Sequence, residues 1–154
     1  MGSMLRKFKS DMVKFTGFLL IFLSCLMANK IAVHTEDAPA PIGAYSQAIK
    51  MGSSVYLSGQ IPLDPKLGVL VEGSIEDQVK QIFENLAAVA KAAGGDLKQL
   101  VKLTIFLQDL ADFPIINTVM ADYFNPPYPA RSTIGVVSLP MGAKVEIEAI
   151  MVLE

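Results

Sequence analysis

The sequence predicts an α+β domain in which two helices pack on one face of a mixed β-sheet. Strand-like and helix-like segments follow one another in the order β-ββ-α-β-α-ββ. The chain has 154 residues, of which 52% are hydrophobic and 18% charged, as is typical of one compact globular domain. The final strand carries apolar residues on both of its faces, which indicates a sheet that is covered on both sides.

Charge and metal-binding residues exclude several classes of function. The formal net charge of -2 leaves no basic excess to neutralise phosphates, so nucleic acid is not expected as the main partner. Cys25 is the only cysteine and His34 the only histidine. One residue of each kind builds neither a zinc site nor a catalytic triad, so no metal site is expected. His34 is interpreted as a partly exposed strand residue.

Residues 1–28 differ in composition from residues 29–154, which we treat as the domain. The first four residues resemble a cloning remnant, and residues 15–29 carry no charge. That run is short for a membrane span but suits the apolar region of a secretory signal. The residues around the expected cleavage site, however, fit a signal peptide poorly. Alternatively, Met27 is the natural start and the upstream stretch is a misassigned extension. The first alternative predicts export or a membrane contact through residues 15–28, and the second predicts a cytoplasmic protein.

Three strands are predicted before the first helix. They are "KIAVHTE" (30–36), "YSQAIKM" (45–51) and "SVYLSGQ" (54–60), and the last two are separated by a hairpin turn at Gly52 and Ser53. A proline-containing loop, residues 39–41, follows the first strand. "LDPKLG" (63–68) then forms a turn, since Pro65 and Gly68 stand where the chain must bend.

The first helix is predicted from its cap, its apolar spacing and its stop. Ser74 is the expected N-cap, with Glu76 and Asp77 in the first turn, and Gly94 with Gly95 ends the helix. The residues of its apolar stripe are Ile75, Val79, Ile82, Phe83, Leu86, Val89, Ala90 and Ala93.

The second half of the chain predicts a strand, a helix and two more strands. The strand "LVKLTIFLQD" (100–109) alternates, which assigns Val101, Leu103, Ile105 and Leu107 to one face. The helix takes Pro114 into its first turn and ends before residues 126–127. The last strands, 131–137 and 144–154, flank a turn at 140–142.

The last strand predicts association between subunits. One of its faces carries Val145, Ile147, Ala149 and Met151, while Ile150 and Val152 lie on the opposite face. Two helices are too few to cover both faces of such a sheet. Oligomerisation would supply the missing cover.

Charged residues in the last two strands are the first candidates for chemistry. Arg131 opens its strand after a stiff Tyr-Pro-Ala lead, and its guanidinium fork fits a carboxylate through two parallel bonds. The alternative is an ordinary salt bridge to a neighbouring acid. Glu146 and Glu148 project from one face about 7 Å apart, either as an ion pair with Arg131 or a lysine, or with a catalytic task. A glycosidase pair is disfavoured because this spacing leaves no place for a sugar between them.

Three further residues suggest a ligand site near the second hairpin strand. Gly59 at the strand end permits a close approach to the backbone, and Ser58 offers a hydroxyl that no histidine activates. Tyr45 follows the flexible Gly43, where its ring either closes over a small ligand or fixes the loop. An ordinary strand end remains the alternative for Ser58 and Gly59.

The motifs "APAPIGAYSQA", "YLSGQIPLDP", "TIFLQDLADFPIIN", "YPARSTIGV" and "VEIEAI" together resemble the Rid family of reactive intermediate deaminases, also called the YjgF family. The resemblance covers essentially all of residues 27–154. It implies a chorismate-mutase-like α+β subunit and a homotrimer with active sites between subunits. It also implies hydrolysis of 2-imino or enamine acids, such as 2-iminobutanoate and 2-iminopropanoate, to 2-keto acids and ammonia, without a metal or organic cofactor.

The same resemblance implies roles for individual residues. Arg131 would hold the substrate carboxylate, and Glu146 would position the attacking water. The residues expected to line the pocket are Tyr45, Ser58, Gly59 and Asn117. Thr133 stands where several relatives have cysteine, which is expected to tune the pocket. The alternative within the family is a ligand-sensing, regulatory or chaperone-like member without turnover, whereas the acidity and the missing histidine pair argue against a ribonuclease.

Overall fold

The structure, a computed structural model, describes residues 29–154, so the alternatives for residues 1–28 lie outside the described residues. Six strands and two longer helices follow in the predicted order. They are β1 (Lys30–Val33), β2 (Ala48–Met51), β3 (Ser54–Gln60), α1 (Ile75–Ala92), β4 (Leu100–Leu107), α2 (Phe113–Tyr123), β5 (Ala130–Gly135) and β6 (Val145–Val152). Within residues 29–154, none of the helices combines the length and apolarity that crossing a membrane requires.

The six strands form one mixed sheet in the order β1-β2-β3-β6-β4-β5. Every neighbouring pair is antiparallel except β4 and β5. A parallel pair needs a crossover connection, and α2 lies in the segment that joins β4 to β5. The predicted α+β class with a mixed sheet is therefore confirmed.

The predicted boundaries of α1 are confirmed by its end contacts. The Ser74 hydroxyl accepts a hydrogen bond from the Asp77 amide at 3.2 Å, and the Asp77 carboxylate accepts one from the Ser74 amide at 2.9 Å. The Ser74 hydroxyl, at 2.6 Å, and the Ser74 amide both donate to the Asp77 carboxylate and hold the pKa of Asp77 below its usual range. Gly94 follows with φ of 95°, which a residue with a side chain adopts only with strain.

The core lies between the helices and one face of the sheet. Along β6, Val145, Ile147, Ala149 and Met151 are buried, and the residues between them are half-buried or exposed. The opposite side, which we call the open face, carries apolar side chains that no helix of residues 29–154 covers. Its larger apolar members include Ile49, Tyr56, Phe106, Ile134, Ile150 and Val152. The prediction of apolar residues on both faces is confirmed.

One residue was assigned to the wrong face. Val101 was expected in the core, but it is 46% exposed, whereas Leu100 is buried. The register of β4 against β6 shifts between Leu100 and Lys102, so a bulge reverses the alternation at the start of the strand. Leu103, Ile105 and Leu107 are buried as predicted.

All strands except β3 are shorter than predicted, and β1 and β2 each lose three residues at the loop that joins them. β1 ends at Val33, so His34 is an exposed residue just beyond the strand. β2 begins only at Ala48, and the side chain of Gln47 before it bonds to the loop that links the two strands.

Candidate functional site

A cavity of about 400 Å³ contains four of the predicted site residues. Tyr45, Ser58, Gly59 and Glu146 line it, and Glu148 stands at its edge with them. We call it the glutamate cavity. The apolar part of its wall comes from Pro39, Ala40, Ile42, Ile61, Leu63 and Pro140. A carboxyl group thus faces a space that is partly apolar and large enough for a small organic acid.

Gly59 makes room for the Glu146 carboxyl. A Cβ atom at position 59 would overlap the Glu146 carboxylate, since it would lie 2.9 Å from Cδ and 3.1 Å from Cγ. The register of β3 against β6 also shifts between Leu57 and Gln60, so a bulge coincides with this contact. The sequence predicted a close approach at this glycine, and the group that approaches is a side chain of the neighbouring strand.

The pKa of the Glu146 carboxyl is raised by its surroundings. Burial raises its pKa above the ordinary glutamate value, and the negative charge of Glu148 raises it further. Among residues 29–154 the only ion pair within 4 Å joins Lys80 to Glu76. The alternative of a structural ion pair for Glu146 is therefore not realised in this part of the chain, and the carboxyl remains available for acid–base chemistry.

Ser58 and Tyr45 are fixed by backbone contacts at the cavity rim. The Ser58 hydroxyl donates to the Ser46 carbonyl at 2.6 Å, which leaves its lone pairs available as acceptors. The Tyr45 hydroxyl accepts a hydrogen bond from the Ile42 amide at 3.3 Å, and the residue is 49% exposed. Both alternatives for Tyr45 are thus compatible with its place, because it fixes the loop and also faces the cavity.

The buried side-chain amide of Gln47 holds together one wall of the glutamate cavity. This residue was not identified from the sequence. Its Oε1 accepts from the Thr35 amide at 2.7 Å, and its Nε2 lies within hydrogen-bonding distance of three carbonyls, those of Thr35, Ala38 and Pro39. The residue is 1% exposed. A second buried amide, Asn85, donates to the Leu63 carbonyl at 3.0 Å. No periodic pattern marks either residue, so the only signal is a glutamine or an asparagine among apolar neighbours.

Arg131 lies in a different cavity, of about 310 Å³, which we call the arginine cavity. Its Nη1 donates to the Asn117 Oδ1 at 2.8 Å and contacts the Met120 sulfur at 3.1 Å, and its Cζ lies 5.0 Å from the centre of the Phe113 ring. No carboxylate of residues 29–154 forms an ion pair with it. The alternative of an ordinary salt bridge is not realised here, so the guanidinium keeps donors for an external carboxylate.

Within one chain, Arg131 and Glu146 lie on opposite faces of the sheet. Arg131 is in register with the buried Leu103, on the face that the helices cover. Glu146 is in register with Phe106, on the open face. The predicted site residues therefore form two groups that one chain does not bring together.

Thr133 belongs with Arg131, because the two residues are two apart on β5 and share its helix-covered face. Its hydroxyl oxygen is buried and has no hydrogen-bond partner among residues 29–154. The same part of the chain holds no group of three or more His, Cys, Asp or Glu side chains that could bind a metal ion.

Sequence comparisons match this domain to known proteins. Residues 35–153 match the sequence model of a family described as Endoribonuclease L-PSP. A 2-iminobutanoate/2-iminopropanoate deaminase of Dermatophagoides farinae is 48% identical over 128 residues, which are 83% of this chain and 100% of the relative. The chloroplastic Reactive Intermediate Deaminase A of Arabidopsis thaliana is 47% identical over 136 residues, covering 88% of this chain and 73% of the relative.

Solved structures share the fold. RidA from an Antarctic Psychrobacter superposes with a TM-score of 0.78 at 45% identity, covering 80% of this chain and 99% of that one. E. coli TdcF with bound serine superposes with a TM-score of 0.77 at 40% identity, covering 81% of this chain and 100% of that one. With the family model matched across the whole domain, this chain belongs to the Rid family, the Endoribonuclease L-PSP family of sequence models.

Proposed function

We propose that this chain is a hydrolytic deaminase that converts 2-imino acids and their enamine tautomers to 2-keto acids and ammonia, without a cofactor. We further propose that it acts as a homotrimer with each site built between two copies. The observation that carries the proposal is the separation, on opposite faces of one sheet, of a guanidinium without an ion pair among residues 29–154 and a carboxyl with a raised pKa. Two relatives, from Dermatophagoides farinae and Mus musculus, are named 2-iminobutanoate/2-iminopropanoate deaminase.

The size of the substrate makes two copies necessary. In a 2-imino acid the carboxylate carbon is bonded directly to the imine carbon, so the groups that act on them must lie within a few ångströms of each other. A sheet separates Arg131 from Glu146 in one chain. The apolar side chains of the open face support association, because exposed apolar sheet surface is covered in stable assemblies. In the proposed trimer, the arginine cavity of one copy faces the glutamate cavity of its neighbour.

In the proposed reaction Arg131 binds the substrate and Glu146 transfers the protons. Arg131 holds the carboxylate through two charge-assisted hydrogen bonds. Glu146 accepts a proton from a water molecule as the water oxygen adds to the carbon of the protonated C=N bond, which gives a neutral carbinolamine. The carboxyl then passes this proton to the nitrogen. The C–N bond breaks with its electron pair on the departing ammonia, and the C=O bond forms as the hydroxyl proton moves to the Glu146 carboxylate. A raised pKa suits both transfers, because the group must gain and lose a proton near neutral pH.

TdcF, a solved relative, contains bound serine, which is a small molecule with an α-carboxylate. This ligand supports a site for small amino-acid-like acids. The apolar wall of the glutamate cavity would accommodate the side chain of such a substrate. The rival function within the family, ligand sensing without turnover, predicts binding of 2-oxobutanoate and an unchanged rate of imine decay.

The test is subunit complementation. Arg131→Ala and Glu146→Gln chains are expressed separately and together with two different tags, and trimers carrying both tags are purified. Decay of freshly generated 2-iminobutanoate is then followed with and without protein. In a cyclic trimer that carries both variants, one of the three sites combines an intact Arg131 with an intact Glu146, so about one third of wild-type turnover is expected.

Each control has a defined meaning. Homogeneous variants should be far slower than the mixed trimers. Mixed trimers as inactive as both parents would overturn the site between copies. A wild-type protein that binds 2-oxobutanoate without accelerating imine decay would overturn the deaminase proposal and favour the ligand sensor.

A further inference from the structure

Three residues on one side of α2 surround the Arg131 guanidinium. Phe113, Asn117 and Met120 are spaced four and three residues apart, so they lie on one stripe of the helix. The Asn117 oxygen and the Met120 sulfur both contact Nη1, at 2.8 Å and 3.1 Å. The Arg131 Cζ lies over the Phe113 ring, 5.0 Å from the ring centre.

These contacts hold one nitrogen and one face of the guanidinium. Nη2 and Nε donate no hydrogen bond to the described part of the chain. Those two nitrogens form the edge that offers two parallel N–H groups, which is the geometry that a carboxylate accepts. The side chain is therefore held on one side and open on the other.

An arginine has several rotatable bonds, so an unrestrained guanidinium would lose much conformational freedom when a carboxylate binds. Asn117 and Met120 fix a single nitrogen, and rotation about that nitrogen would still tilt the plane. The aromatic ring removes this freedom, because a cation is attracted to the face of the ring and a planar cation stacks on it. Phe113 is 37% exposed, so this contact lies at the rim of the structure and can be altered without opening the core.

We propose that Phe113 is a positioning residue for Arg131: its ring fixes the guanidinium plane so that the Nη2–Nε edge faces the substrate carboxylate. This inference rests on the proposed function, in which Arg131 binds that carboxylate. Phe113 contributes to affinity by ordering the arginine before the substrate arrives.

The test compares Phe113→Leu, which removes the ring but keeps apolar bulk, with Phe113→Tyr, which keeps the ring and is the matched control. Phe113→Leu should raise KM for 2-iminobutanoate and Kd for 2-oxobutanoate about 3- to 10-fold. The value of kcat should stay within about twofold, because carboxylate binding is the same in the ground and transition states. Phe113→Tyr should restore wild-type KM and Kd. Melting temperature and oligomeric state should be the same in all three proteins.

A second measurement is independent of turnover. A proton above an aromatic face is shielded by the ring current, so the Arg131 Nε–H proton signal should move downfield in Phe113→Leu and stay in place in Phe113→Tyr. Unchanged KM and Kd in Phe113→Leu would overturn the inference, and so would equal losses in Phe113→Tyr. A wild-type protein without turnover would instead refute the proposed function, and keto-acid binding and the proton signal would still decide the role of Phe113.

Discussion

Gly59→Ala should abolish most of the turnover while leaving the fold intact. The added Cβ would lie 2.9 Å from the Glu146 Cδ, where ordinary carbon contacts are at least about 3.4 Å. The carboxyl must therefore move by roughly 1 Å or adopt another rotamer. A catalytic group displaced by that amount loses about 10²-fold in rate. We expect kcat to fall by about that factor.

The stability cost should be small, because the displaced atoms are the end of a flexible side chain beside a cavity. Overpacking a rigid core costs about 1–3 kcal/mol, and here we expect less than about 1 kcal/mol. Kd for 2-oxobutanoate should be nearly unchanged, since its carboxylate binds at Arg131.

The assay measures imine turnover, melting temperature and oligomeric state on the same preparations. Gly43→Ala is the matched control, because a Cβ there meets only the Tyr45 ring at an ordinary 3.6 Å. In a Glu146→Ala background, Gly59→Ala should have no further effect on turnover. Wild-type turnover in Gly59→Ala, or a loss that only follows unfolding, would refute the placement of the catalytic carboxyl.

Three further predictions follow from the same contacts. Arg131→Lys loses the two-bond fork, so kcat/KM for 2-iminobutanoate should fall about 30- to 1,000-fold, equivalent to about 2–4 kcal/mol, and a smaller loss would contradict carboxylate binding by that fork. Glu148→Gln removes a charge that raises the pKa of Glu146, so the acid limb of the pH profile of kcat/KM should move to lower pH. If the limb does not move, a group other than Glu146 controls it. Gln47→Leu leaves the Thr35 backbone amide and three carbonyls without their partner. The free energy of unfolding, measured in urea, should fall by about 2–4 kcal/mol. Wild-type stability would show that water replaces the Gln47 side chain as the hydrogen-bond partner.

The raised pKa of Glu146 also affects stability. The folded protein binds this proton more tightly than the unfolded chain, so stability is highest below the unfolded pKa and falls as pH rises through the folded pKa. Glu146→Gln should remove this part of the pH dependence, which urea titrations at several pH values would measure. A profile identical to that of the wild type would contradict the burial of the carboxyl.

Local signals in the sequence were sufficient for most of the fold. The boundaries of α1 could be predicted because Ser74 and Gly94 act on their immediate neighbours. The face of Val101 could not, because a bulge depends on the partner strand and leaves no mark in the alternation of β4. The role of Gln47 could not be predicted either, since its side chain hydrogen-bonds to a loop up to 12 residues away.

For the candidate site, the sequence indicated the residues but not their arrangement. Because side chains alternate between the two faces of a strand, the sequence predicted Glu146 and Glu148 on the same face, where the structure has them. The relation between Arg131 and Glu146 depends on the register of β5 and β6 against β4, which residue types do not encode locally. The role of Phe113 depends in the same way on where α2 crosses the sheet.

The position of β6 determines when the sheet can be completed during synthesis. β6 is the last of the six strands along the chain, yet it lies between β3 and β4, which pair with it and not with each other. Before β6 leaves the ribosome, the nascent chain can form only two separate strand groups, β1-β2-β3 and β4-β5. The edges of β3 and β4 are then open to other nascent chains. Completion of the sheet is therefore a late event, and chaperone protection is most valuable between the emergence of β4 and that of β6.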